Sequence, residues 1–138
     1  MADQKRETKL WQRLKKYLKN LHSTRIESRT INGIPDVFCC HKGISFWMEL
    51  KSDYVSYPKL SKWQIAWING YVRHGGVMLI CNNALSESKL KLYRIRAMVV
   101  EPRELIPDAT HANRGAWHEV EQSMLHLLSD DKKIISDN

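Results

Sequence analysis

A chain of 138 residues that is 43% hydrophobic can bury one ordinary core without disulfides or a structural metal. It has no run of about 18 apolar residues and no charged-then-apolar leader, which argues against a membrane-spanning protein and leads us to expect a soluble, cytoplasmic one. Three cysteines, two of them adjacent, exclude a disulfide framework, and the net charge of +7 excludes an acidic surface and makes a polyanionic partner such as nucleic acid the first class to consider.

That charge is uneven. Residues 1–96 hold 18 Lys+Arg against 7 Asp+Glu, whereas residues 97–138 hold 4 against 8. One surface is thereby expected to meet the polyanion while the C-terminal part faces elsewhere; a merely solubilising surface is the plain alternative.

Along residues 3–21, Leu10, Trp11, Leu14, Leu18 and Leu21 recur at spacings of three and four with Lys and Arg between them, predicting an amphipathic helix. Glu7 falls at the N-terminal end of its apolar stripe, where it either serves a site or simply favours the helix dipole. Residues 24–31 predict a short strand. Asn32-Gly33 signals a turn, Pro35 fixes the approach to the next strand, and residues 37–40 and 44–51 predict a hairpin around His41-Lys42-Gly43. In its second strand Ile44, Phe46, Met48 and Leu50 share one face, while Ser45, Trp47, Glu49 and Lys51 share the other. If Cys40 pairs with Ser45, Asp36 falls opposite Glu49, and two facing carboxylates need a positive group between them.

Ser52 to Lys59 reads as a loop carrying Tyr54 and Tyr57. Ser61 followed three residues later by Gln64 is a capping-box pattern opening a helix to about His74, striped by Leu60, Trp63, Trp67, Ile68 and Tyr71. Gly75-Gly76 ends it. Residues 77–81 predict a short buried strand, 82–88 a polar loop, and 90–95 another strand. Beyond Arg96 the pattern loosens until a final helix over 115–128, with Trp117, Val120, Met124 and Leu128 at helical spacing. These segments suggest one compact domain with a core over 1–96, an extension over 97–128 that packs on the core or on a dimer partner, and a frayed tail over 129–138.

Asp36, Glu49 and Lys51 on one sheet face, with Glu7 nearby and cations around them, fit metal-assisted phosphodiester hydrolysis. Carboxylate oxygens suit magnesium, which takes one or two protein acids plus phosphate oxygens and water, and a lysine can orient the attacking water.

Gly33-Ile34-Pro35-Asp36, twelve intervening residues, then Glu49-Leu50-Lys51 resembles the PD-(D/E)XK nuclease superfamily, nearest its VRR-NUC and Holliday-junction-resolvase-like branch with small phage-type members. The resemblance spans roughly residues 5–95. It implies an α/β (α+β) restriction-endonuclease-like mixed sheet flanked by helices, a magnesium- or manganese-dependent DNA endonuclease acting on branched DNA, and a bacterial or phage-infected bacterial cytoplasm. By the same match Asp36 and Glu49 are metal ligands with the Leu50 carbonyl as a third, Lys51 positions the water, and Glu7 and Gln64 occupy the accessory places on the flanking helices, Glu7 as a further metal ligand. Glu27 competes with Glu7 for the accessory acid. A four-way junction would call for a homodimer.

Nucleic-acid contacts are expected from Lys5, Lys9, Arg13, Lys16, Arg25, Arg29, Lys59 and Lys62, with Tyr54 and Tyr57 either stacking on a base or packing on Trp47. Two rivals remain: an HNH-type nuclease around His111-Ala112-Asn113 and His118, and a non-catalytic nucleic-acid-binding module that keeps a nuclease fold.

Overall fold

The computed structural model describes residues 2–26 and 30–129. A six-stranded mixed sheet runs in the order β1-β2-β3-β4-β5-β6, with β1 at His22–Arg25, β2 at Val37–His41, β3 at Ile44–Asp53, β4 at Val77–Ala84, β5 at Lys89–Arg94 and β6 at Ala109–Ala112. Helix α1 (Ala2–Leu14) and helix α3 (Val120–Leu128) cover one face, and α2 (Lys62–Arg73) covers the other. The architecture is the expected mixed sheet flanked by helices, of the α+β class, consistent with a restriction-endonuclease-like fold.

The sheet is antiparallel except at its centre, where β3 and β4 run parallel through the α2 crossover. The β2–β3 hairpin closes on Lys42 and Gly43, both with positive φ, through the tight turn whose twist suits paired strands. Its register pairs Cys40 with Ser45 and Val37 with Met48, the pairing anticipated from the hairpin sequence. Period-two alternation then divides β3 cleanly. Phe46, Met48 and Leu50 enter the α1/α3 core with Val37, Cys39, Leu79 and Leu92, while Trp47 joins Met78, Ile80, Tyr93 and Ile68 under α2. Cys39 and Cys81 are inert members of the first core, their thiols pushed up to about 12 by burial.

Five elements differ from expectation. The first helix ends at Leu14 and continues only as a 3-10 turn (Lys15–Tyr17), although Leu18 and Leu21 still reach the core; the apolar stripe outlasts the helix because the chain turns into β1 without leaving the core face. Strand β1 covers only His22–Arg25, and Glu27 and Arg29 lie outside the described residues. Strand β4 runs on through Asn82 and Asn83 because β3 and β5 flank it and satisfy its backbone on both sides. The loosely patterned segment after Arg96 holds β6, which pairs with β5, and α3 begins at Val120, after a 3-10 turn, rather than near Gly115.

The C-terminal segment is built into the domain. Trp117, Val120, Met124, Leu127 and Leu128 belong to the α1/α3 core. The buried Glu121 carboxylate accepts from the Asn20 backbone and side-chain amides (2.7 and 2.8 Å) and from the Leu21 amide (3.2 Å), and Arg94 donates to the Leu127 carbonyl (2.7 Å). These bonds tie α3 to the chain after α1 and to the end of β5.

On the opposite face an aromatic series seats α2. Phe38 lies 5.0 Å from Trp47, Trp47 meets Trp67 edge-on at 5.5 Å, and Trp67 stacks on Tyr71 at 5.1 Å. The start of α2 rests against the turn before β2: Gly33, at φ +87°, lies so close that a Cβ would overlap the Trp63 carbonyl. At Gly43, with φ +82°, a Cβ would meet open space. Alanine at either position should cost about 1–2 kcal/mol for its left-handed backbone, with a further ~1–3 kcal/mol at Gly33 alone from the overlap. Urea denaturation of Gly33→Ala and Gly43→Ala checks this; equal losses would show that the turn does not bear on α2.

Candidate active site

Glu49 sits on the α2 face of β3 and is only 1% exposed. Continuing the β2–β3 register one step beyond Val37–Met48 brings Asp36 beside it, and the Asp36 carboxylate accepts from the Leu50 amide at 2.8 Å. The side chains of Asp36 and Glu49 lie within hydrogen-bonding reach of each other. Burial first, and the adjacent Asp36 carboxylate second, push Glu49 well above the ordinary carboxylate range, while Lys51 pulls the other way.

Glu49 Oε2 is held from two sides. The Gln64 amide donates to it at 2.7 Å, and Lys51 Nζ stands 3.6 Å away. Gln64 also closes the expected capping box, since its Oε1 accepts from the Ser61 amide (2.9 Å) and its own amide donates to Ser61 Oγ (3.2 Å). Gln64 thus caps α2 and bonds Glu49 at the same time. Side chains two apart on a strand are ~6.6 Å apart, and residues three apart on a helix share a face over ~4.5 Å of rise. The Trp47–Trp67 contact thus brings Gln64 over Glu49.

Glu49 Oε1, by contrast, is enclosed and receives no hydrogen-bond donor among the described residues. An enclosed carboxylate oxygen without a donor, beside a second carboxylate, is an arrangement that a hard cation would complete. Asp36, Glu49 and the Leu50 carbonyl could hold such an ion. Among the described residues no three His, Cys, Asp or Glu side chains gather into a metal-binding group. Glu7 instead acts on Glu49 through space and lines, with Asp36 and Arg25, an adjoining cavity of about 280 Å³. Two carboxylates suffice for magnesium, whose remaining positions go to water and phosphate.

The cations expected to contact nucleic acid are dispersed around this centre. Lys5, Lys9, Arg13 and Lys16 are exposed on and just after α1, Lys59 pairs with Asp53 at 3.8 Å, and Lys62 lies over the Trp63 ring at 5.1 Å. Arg25 is half-buried, and its Nε is enclosed without a partner among the described residues. Neither tyrosine reaches Trp47: Tyr54 packs under Arg6 and Tyr57 under Arg103, because the chain after β3 turns toward those cations. His111 bonds Ser123 and stands 3.6 Å from Glu119, a structural use that leaves no HNH-type site among the described residues.

Two contributors escaped the sequence reading. Arg6 donates to the Ser52 carbonyl (2.9 Å) and pairs with Asp53 (3.3 Å), fastening α1 to the end of the motif strand. Asn82, level with Lys51 on β4, is fully buried, with Tyr93 as the neighbour its amide meets. A polar run taken for a loop concealed it, whereas Arg6 had no sequence signal.

No family model matches the chain, and no curated protein matches it. Among solved structures it is similar to Hjc, a Holliday junction resolvase from the archaeal hyperthermophile Archaeoglobus fulgidus, with 15% identity and a TM-score of 0.48 over 66% of this chain and 75% of that one.

A raised folded-state carboxylate stabilises the protein below its unfolded value and loses that contribution as pH rises. In EDTA, therefore, the melting temperature should fall as pH rises above the ordinary carboxylate range, and Glu49→Gln should flatten that fall and melt higher at the upper end. Manganese or magnesium at a hundredfold excess over its dissociation constant should stabilise the wild type by about 2.7 kcal/mol and Glu49→Gln by much less. Thermal melts across pH, with and without metal, check both.

Proposed function

We propose that the chain is a divalent-metal-dependent endonuclease that hydrolyses DNA phosphodiester bonds, with magnesium or manganese as cofactor and branched DNA as the preferred substrate. The observation that carries this reading is the enclosed, donor-less Oε1 of Glu49 beside Asp36, with Lys51 on the same face. A core carboxylate so placed is costly for stability alone, and holding a divalent cation would give it a use.

When bound, the ion would polarise the phosphate and make an attacking water more acidic. Asp36 and Glu49 would hold it, with the Leu50 carbonyl as a third donor. Gln64 keeps Glu49 Oε2 occupied, so the carboxylate offers its other oxygen in a fixed orientation. The Lys51 ammonium, 15% exposed, is placed to orient the attacking water. Glu7 lines the approach and adds negative charge near Glu49. Lys9 and Arg13 on α1 and Lys16 just after it supply phosphate contacts that position a strand without reading its sequence. The preference for branched DNA follows the motif resemblance. A four-way junction, with two strands to cut symmetrically, would require two copies of the site and hence a homodimer.

Incubation of end-labelled four-way junction, flap and linear duplex with the purified protein in magnesium, manganese or EDTA tests this. Metal-dependent cutting should fall by ~10²–10⁴ in Lys51→Ala and to background in Glu49→Gln, with paired symmetric cuts on the junction. Tight binding without cutting in any metal would replace the enzyme by a non-catalytic binding module.

A further inference from the structure

On the other face of the sheet from the carboxylates, at the same end of β3 and β4, lies a second cavity of about 420 Å³, within the range of small-ligand pockets. Helix α1 forms one wall, the ends of β3 and β4 a second, and the turn carrying Asn113, Arg114 and Trp117 a third. Arg6, Lys9, Arg13 and Arg114 all face it, and no acidic side chain is among its described lining residues. Arg6 is committed to Ser52 and Asp53, but Lys9, Arg13 and Arg114 form no ion pair among the described residues. Converging cations left unneutralised repel one another, and an anion relieves that repulsion.

The cavity also carries hydrogen-bonding groups suited to more than a phosphate. The Asn113 amide donates to the Asn83 amide oxygen at 3.0 Å, which leaves the Asn83 amide NH₂ as donor and the Asn113 oxygen as acceptor in one pair. An adjacent donor and acceptor match the edge of a nucleobase. At the rim Tyr54, 64% exposed, has Arg6 over its ring at 5.5 Å, making a platform on which a base can stack. Neighbouring residues of α1 line the two cavities, Arg6 this one and Glu7 the one shared with Asp36.

We propose that this cavity binds one nucleotide of a DNA strand, unstacked from its neighbours, with phosphate against Lys9, Arg13 and Arg114 and base edge against the Asn83–Asn113 pair. The inference rests on the nuclease reading for its choice of a strand as ligand. It makes the protein a reader of a single-stranded or distorted position near the cut, a property that an intact duplex lacks.

The experiment is an NMR titration of the full chain in EDTA, following the Trp117 indole, whose Nε1–H donates to the Asn113 carbonyl at 2.9 Å. The probes are a deoxynucleoside monophosphate, its nucleoside, inorganic phosphate and a short single strand. The monophosphate should bind about tenfold or more tighter than either half, and the single strand should compete for the same site. Arg114→Glu, at an exposed turn position, should weaken the monophosphate by about tenfold or more, and Asn113→Ala should remove its advantage over phosphate. Equal binding of phosphate and monophosphate, no shift at all, or indifference to Arg114→Glu would each overturn the proposal; a monophosphate that the strand cannot displace would overturn it in favour of a free nucleotide. Because no cleavage is read, binding without nuclease activity would sink only the nuclease reading, and cleavage without binding would sink only the pocket.

Discussion

Placing a carboxylate at the centre of a sheet, where water cannot reach it, sets the terms for everything around Glu49. Its desolvation is the largest influence on its ionisation, and Asp36 makes matters worse. The surrounding fold opposes that cost on one oxygen only, through Gln64 and Lys51, and leaves the other without a donor. Full compensation would have been available to a purely structural acid. Glu121 provides the contrast within the same molecule: equally buried in character, it takes three donors from Asn20 and Leu21 and fastens two parts of the chain. The two acids show the difference between a carboxylate used for adhesion and one kept incomplete.

Keeping it incomplete requires rigidity from elsewhere, since an unsatisfied group would otherwise rotate toward a partner or draw in water. The alternation of β3 supplies that rigidity. Phe46, Met48 and Leu50 anchor the strand in the α1/α3 core while Trp47, on the Glu49 face, holds α2 down through Trp67. The capping box fixes the first turn of α2, so Gln64 reaches Glu49 from a backbone that cannot fray. Gly33 lets the preceding turn close against that same helix start, which couples the approach to Asp36 with the position of Gln64.

Much of this arrangement was legible because local rules governed it. The hairpin register followed from a two-residue turn, the division of β3 from period two, and the start of α2 from Ser61 and Gln64 three apart. Elsewhere tertiary pairing decided. Ala109–Ala112 has little apolar alternation and becomes a strand only because the edge of β5 is there to pair with it. Asn82 and Asn83 look like loop residues, yet β4 continues through them between two neighbours. Arg6 and the Asn83–Asn113 contact were beyond reach for a related reason: each joins segments between about thirty and fifty residues apart, and no local pattern reports such a meeting.

The charge asymmetry of the chain also acquires a physical basis. Among the described residues of the C-terminal part, Glu121 accepts from the chain after α1, and Asp108 accepts from the Arg94 amide and pairs with Arg96 at 2.8 Å. They contribute to holding β5, β6 and α3 together and do little to neutralise the cations of α1. Lys9, Arg13 and Arg114 consequently keep their charge outward, around the end of the sheet where both cavities open. A positive field at that end costs the folded state some self-repulsion and concentrates polyanion near the motif strand. Acids that bond within the C-terminal part and cations that face the cavity are therefore two sides of one arrangement: the bonds that complete the domain leave its cavity-bearing end positive.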